Sequence, residues 1–255
     1  MTLTVTITSD FICPWCLIGE RRLAKAIGAL PGDVAVELKW RPFELNPAMR
    51  PEGMDRQTYR SLKFGSWERS RMLDAHTVEA ARDDGIAFDY AAIAKTPNTF
   101  LAHRLNWFAA RRGLATPIAN AVFSAYFEHG RDIGDAAVLA DIAVENGLGR
   151  DEVSAFLAGD EGTRDVREAE RAVQAGGVRS VPPVRHRRRD RERRAILGGV
   201  RSGTAPRHCA HARLRHRGLP GVLIAPALSE NAPPCRLHRD PGSIPVLHGC
   251  SSRAG

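Results

Sequence analysis

The chain has 255 residues, 43% of them hydrophobic and 26% charged, which is enough to bury a core in one large domain or in a domain carrying an insertion and excludes a small disulfide scaffold. No run of 18 or more apolar residues offers a membrane span. The formal charge of +8 is concentrated at one end: residues 184–255 hold 15 of the 37 Arg and Lys residues but only four of the 29 acidic ones, so the preceding part is mildly acidic and no general affinity for nucleic acid is implied.

The first ten residues lack both a basic segment and a continuous apolar stretch, so the expectation is a soluble, cytoplasmic protein with no membrane partner. Leu3, Val5 and Ile7 alternate with four threonines, the period of a strand rich in β-branched residues, and the strand ends at Ser9-Asp10. After Cys13-Pro14-Trp15-Cys16, residues Leu23, Ile27 and Leu30 recur at helical spacing among Arg and Lys and predict a helix that stops near Pro31-Gly32. Val34, Val36, Leu38 and Trp40 alternate again, giving a second strand and a β-α-β start.

From Asn46 to about Gly176 the pattern is helical, punctuated by Pro47, Gly65, Gly85, Pro97, Gly113, Gly130 and Gly147 among others. Leu101, Leu105 and Phe108 form one apolar stripe, and Val138, Leu139, Ile142 and Ala143 another. The aromatics here, Trp67, Phe100, Trp107, Phe123, Tyr126 and Phe127, read as core. Past Pro183 the chain has no Lys, Phe, Tyr, Trp or Met, and too little apolar residue to fold by itself.

The chemistry lies in the close cysteine pair. A disulfide exchanger needs two thiols near enough to close a small ring, one of them a thiolate and a good leaving group. At a helix start Cys13 meets unpaired N–H groups and the positive end of the helix dipole, both favouring S⁻. Pro14 suits the first helical position, where its missing N–H has no partner anyway. Cys16, one turn in and more buried than an exposed Cys13, would resolve the mixed disulfide. The competing reading, half a zinc site, needs a second ligand pair; His76, His103, His129 and the scattered Cys and His of the tail form none, so no metal is expected. Gly176-Gly177-Val178-Arg179-Ser180-Val181-Pro182 lies where the chain would return from the helical block, and Pro182 is the candidate for a cis-proline facing the dithiol.

Cys13-Pro14-Trp15-Cys16-Leu17-Ile18-Gly19, Lys39-Trp40-Arg41-Pro42-Phe43-Glu44-Leu45 and Asn98-Thr99-Phe100-Leu101-Ala102-His103-Arg104-Leu105 resemble the DsbA-like FrnE / 2-hydroxychromene-2-carboxylate isomerase family. Arg131-Asp132-Ile133-Gly134 and Gly177–Pro182 are similar to its later landmarks, and the resemblance runs from residue 3 to Pro182. It implies an α/β fold: a thioredoxin-like domain with a large inserted all-helical domain. The boundaries are 1–45 for the first β-α-β half, 46–174 for the insertion, 175–183 for the return and 184–255 for the Arg-rich remainder.

The resemblance implies a thiol–disulfide oxidoreductase or isomerase, with Cys13 and Cys16 catalytic and Pro14, Trp15, Val181 and Pro182 lining the substrate groove. Its partners would be disulfide-bearing proteins or small thiols. Asn98, Thr99, His103 and Arg104 match the family's inter-domain motif; the plainer reading is helix capping by Asn98 and surface charge. Isomerases and glutathione transferases of the wider group have Ser at the position of Cys13 and use glutathione. A glutathione-dependent isomerase or transferase acting on a small aromatic compound is therefore the alternative, with glutathione as co-substrate and no other cofactor. Nucleic-acid binding through the basic tail is a minor alternative, weakened because no aromatics interleave with its arginines to stack on bases.

Residues 184–255 read as the product of a shifted frame and are expected to be irregular and disordered. Taking Arg as CGN and reading Val184-Arg-His-Arg-Arg-Arg-Asp-Arg-Glu-Arg-Arg-Ala-Ile196 from the second base, the triplets permit Phe-Val-Ile-Asp-Gly-x-Ile-x-Ser-Gly-Ala-Gln. That is similar to the strand, turn and strand this family places after its cis-proline.

Overall fold

The computed structural model describes residues 2–182, together with the backbone of 184–187. The chain divides into two units, 1–216 and 217–255, and everything described lies in the first.

The alternating Leu3, Val5 and Ile7 become strand β1 (Thr2–Ser9), with Val5 and Ile7 buried. Helix α1 (Pro14–Gly28) crosses over to β2 (Ala35–Pro42), which pairs parallel to β1 with Val5 opposite Leu38 and Ile7 opposite Trp40. The crossover helix is what a parallel pair requires. On the other side of β1 lies β5 (Val184–Arg187), antiparallel, so the sheet order is β2-β1-β5. Four of the residues expected to be irregular are thus a strand; residues 188–255, on which the rest of that expectation falls, lie outside the described ones. The predicted first helix also stops short, at Gly28. Leu30 lies beyond it, exposed, and the buried face of α1 is instead Cys16, Leu17, Ile18 and Glu20.

Between β2 and β5 come seven helices: α2 (Arg56–Phe64), α3 (Trp67–Ala80), α4 (Phe100–Ala110), α5 (Ala115–Phe127), α6 (Ala136–Glu145), α7 (Arg150–Ala158) and α8 (Thr163–Ala175). A two-residue ladder, β3 (Met54–Asp55) with β4 (Lys95–Thr96), also sits here, where only helix was expected. Three of the helices are capped by short polar side chains: Asp55 accepts from the Thr58 N–H, Ser66 from Arg69, and Asp135 from Ala137 and Val138. Gly130 needs its positive φ of 62°, and a Cβ there would come within 2.3 Å of the Ala92 carbonyl oxygen.

The core is centred on α4 to α7, through Leu105, Phe108, Ile118, Phe123, Leu139 and Val153, and runs without a break to Phe11, Cys16 and Leu17. Phe123, Tyr126 and Phe127 are buried, whereas Trp67, Phe100 and Trp107 are half-buried. The start of α1 is therefore bedded in the packing of the helical segment.

Candidate active site

Cys13 is the N-cap of α1, in extended conformation, and Pro14 follows in the first turn. The loop before it is held by Asp10: the Cys13 N–H donates to the Asp10 carbonyl at 3.1 Å, while the Asp10 carboxylate accepts from the Leu45 N–H at 2.6 Å and the Ile12 N–H at 3.5 Å. No side chain caps the helix. Its first N–H groups are left to the Cys13 carbonyl, which accepts from Cys16 at 3.0 Å and Leu17 at 3.4 Å, and to the field around the Cys13 sulfur.

The Val181–Pro182 peptide bond is cis. The Val181 carbonyl oxygen lies 3.8 Å from Cys13 Sγ and accepts from the thiol, so residues far apart in the chain meet at the dithiol. Trp15 packs edge-on against His76 of α3, with ring centroids 5.5 Å apart. The two cysteines are free thiols, each 5% exposed. Exposure therefore does not distinguish them, contrary to the expectation of an exposed Cys13. Burial holds the Cys16 thiol well above the usual range, reinforced by the hydrogen bond and charge of Cys13 and opposed by hydrogen bonds from Ser9 and Asp10.

Of the inter-domain residues, His103 alone comes to the site. It is buried, its ring lies against Phe11 at 4.9 Å, and its Nε2 is 3.6 Å from the Asp10 carboxylate. Asn98 accepts from the Phe100 N–H at 2.9 Å and donates to the Met49 carbonyl at 2.7 Å, so it forms a turn just before α4 and a tether to the segment after β2 rather than the cap of the helix. Thr99 is the buried N-cap of α4 without a side-chain cap bond. Arg104 is not surface charge: it is buried and donates to the carbonyls of Phe156, Gly159 and Glu161 at 3.0, 2.8 and 2.9 Å, closing the end of α7.

Sequence reasoning passed over four acidic groups near the site. Asp10 is fully buried. Glu44, just past β2, and Glu170 of α8 are buried carboxylates sharing the Arg167 guanidinium, which donates to both and lies 3.7 Å over the Phe100 ring. Burial and the charge of Glu170 push the Glu44 carboxyl up to about 7, against the pull of Arg167 and His103. Glu20 of α1 is also buried, and burial raises its carboxyl too. A charged residue in a sequence reads as solvent-facing, so nothing in the pattern marked these four. Among the described residues no group of three or more His, Cys, Asp or Glu could hold a metal ion, and no helix is long and apolar enough to cross a membrane.

The family model of the DSBA-like thioredoxin domain matches residues 4–203. The chain belongs to that family. The match extends 21 residues past Pro182, where the resemblance read from the sequence stopped. Among solved structures, a probable DsbA oxidoreductase from Streptomyces coelicolor is 31% identical, with a TM-score of 0.66 over 72% of this chain and 80% of its own. The 2-hydroxychromene-2-carboxylate isomerase structure shares the fold, at 16% identity and a TM-score of 0.55 over 71% of this chain and 84% of its own. YwbO, an uncharacterized protein of Bacillus subtilis (strain 168), is 29% identical over 148 residues, 58% of this chain and 68% of that one. The α/β architecture is thus the DsbA-like thioredoxin fold, and the chain is an oxidoreductase or isomerase of that family.

Proposed function

We propose that this DsbA-like protein is a thiol–disulfide oxidoreductase or isomerase working through Cys13 and Cys16. The observation that carries the reading is the pairing of a cysteine at the uncapped start of α1, its sulfur beside the Val181 carbonyl, with a second cysteine one turn on whose thiol is held protonated. Cys13 as thiolate attacks one sulfur of a substrate disulfide, forming a mixed disulfide and releasing the other sulfur as thiolate. Cys16 then attacks Cys13, closing the internal disulfide and freeing the reduced substrate. Pro14, Trp15, Val181 and Pro182 form the walls against which the substrate lies. His103 and Asp10 position the loop before Cys13. Substrates are disulfide-bearing proteins or small thiols, and the dithiol is its own redox group.

Reduction of insulin driven by dithiothreitol tests this. The protein is expected to accelerate precipitation of the insulin B chain, and Cys13→Ser to abolish the acceleration. The fold shared with 2-hydroxychromene-2-carboxylate isomerase supports a second reading, in which Cys13 orients glutathione instead of cycling. Wild-type protein that binds glutathione but leaves insulin untouched would establish that reading and overturn the first.

A further inference from the structure

Helix α3 is amphipathic the wrong way round. Its inner face is polar: Ser70, Asp74 and Thr77 are buried, with Asp74 binding Arg56 of α2 at 2.7 Å and Arg60 at 2.8 Å, and Thr77 sharing a hydrogen bond with Tyr90 at 2.5 Å. Its larger apolar side chains face outward, Met72 being 65% exposed and Val78 47%. Scattered exposed apolar residues are ordinary, but these belong to one stripe. From Glu68 through Arg71 and Met72, Ala75, then Val78 and Glu79, to Arg82 in the turn just past the helix, exposed positions recur at steps of three and four.

The order of charges along the stripe says what covers it. Positions 68 and 82, 71 and 79, and 72 and 78 are each equidistant from Ala75. Laid antiparallel on a copy of itself with the two Ala75 residues at the crossing, α3 sets Glu68 level with the second copy's Arg82, Arg71 with its Glu79 and Met72 with its Val78. Unlike charges then flank an apolar centre, and the small Ala75 lets the helices approach closely. A parallel pairing would set every charge against its like.

We propose that α3 is the contact surface of a reversible homodimer, pairing antiparallel with α3 of a second copy of this chain about Ala75. The pairing is isologous, each stripe meeting itself, so it closes at two subunits. Each helix has 14 residues and is about 21 Å long, which places the contact at the low end of specific interfaces and its Kd in the micromolar range. Met72 lies one turn before His76, whose ring touches Trp15, so the dimer contact borders the dithiol end of α1. The inference stands whether or not the dithiol cycles.

Sedimentation velocity on the full chain from about 1 to 100 µM tests it. The mass is expected to climb from 27.9 kDa towards twice that value. Ala75→Arg, which brings two like charges to the crossing, should hold the monomer mass throughout. Arg71→Glu should weaken association by roughly tenfold or more, and adding Glu79→Arg should return it to within about threefold of wild type, because unlike charges again face each other. All three positions are exposed, and an unchanged Tm shows that the fold survives; should Ala75→Arg unfold the chain, the Arg71 and Glu79 exchange decides alone. A wild-type chain that stays monomeric throughout overturns the proposal. So does a dimer indifferent to Ala75→Arg, or a double variant that associates as weakly as Arg71→Glu. A monomer whose insulin reduction is slowed by Ala75→Arg would give the stripe to a polypeptide substrate and overturn it as well.

Discussion

Two buried carboxylates on one guanidinium form an electrostatically overdrawn arrangement. Arg167 can neutralise Glu44 or Glu170, and the carboxyl of Glu44 is pushed up to about 7 by burial and by Glu170. A proton on Glu44 relieves the excess. The folded protein therefore holds a proton that the unfolded chain gives up near the ordinary glutamate value of 4.5, so this stability is fully present below 4.5 and lost as pH rises through about 7. Thermal unfolding followed across this window is expected to show Tm falling from acidic to mildly alkaline pH. Glu44→Gln should flatten that slope and raise stability at pH 8 by on the order of 1 kcal/mol, after discounting for the solvent that reaches Arg167. A variant that keeps the wild-type slope would place the titration elsewhere.

Among the elements, the loop between β1 and α1 is what aims the dithiol, and Asp10 holds it. Its carboxylate accepts from Leu45 beyond the end of β2 and from Ile12, while its carbonyl takes the Cys13 N–H. Asp10→Ala leaves the half-buried Leu45 N–H without its acceptor, and should cost about 1–2 kcal/mol in denaturant unfolding while slowing alkylation of Cys13. Asp10→Asn, which keeps one accepting oxygen, should lose less. Equal stability in all three proteins would show that the loop does not depend on this side chain. The β-α-β start that carries the loop was legible because period-two alternation and Cys-Pro-Trp-Cys mark each element independently. The ladder of β3 with β4 was not, since two residues carry no period. Glu20 and Glu44 were illegible for another reason: burial of a carboxylate is decided by partners such as Arg167 of α8, more than 120 residues away.

At the scale of the whole molecule, the register of β5 bears on the reading frame. Cross-strand neighbours share a face of the sheet. In the backbone register Val184 stands opposite Ile7 and His186 opposite Val5, two buried residues of β1, while positions 185 and 187 stand opposite Thr6 and Thr4. The recorded sequence thus sets a histidine across from a core valine. The alternative frame permits Phe-Val-Ile-Asp at the same four positions, which would put Phe opposite Ile7, Ile opposite Val5, Val opposite Thr6 and Asp opposite Thr4. That is the alternation a half-buried strand requires, in the correct phase. The coding DNA around codon 183 is expected to contain that strand, turn and strand in the second frame. A protein expressed with the frame restored should unfold at higher temperature and reduce insulin faster than the recorded chain, because two cross-strand apolar pairs at roughly 0.2–1 kcal/mol each, and the area they cover, are added beside the strand that leads to Cys13. DNA whose second frame encodes polar residues opposite Ile7 and Val5 would make residues 184–255 the genuine sequence, as would a recorded chain equal to the restored one in both Tm and activity.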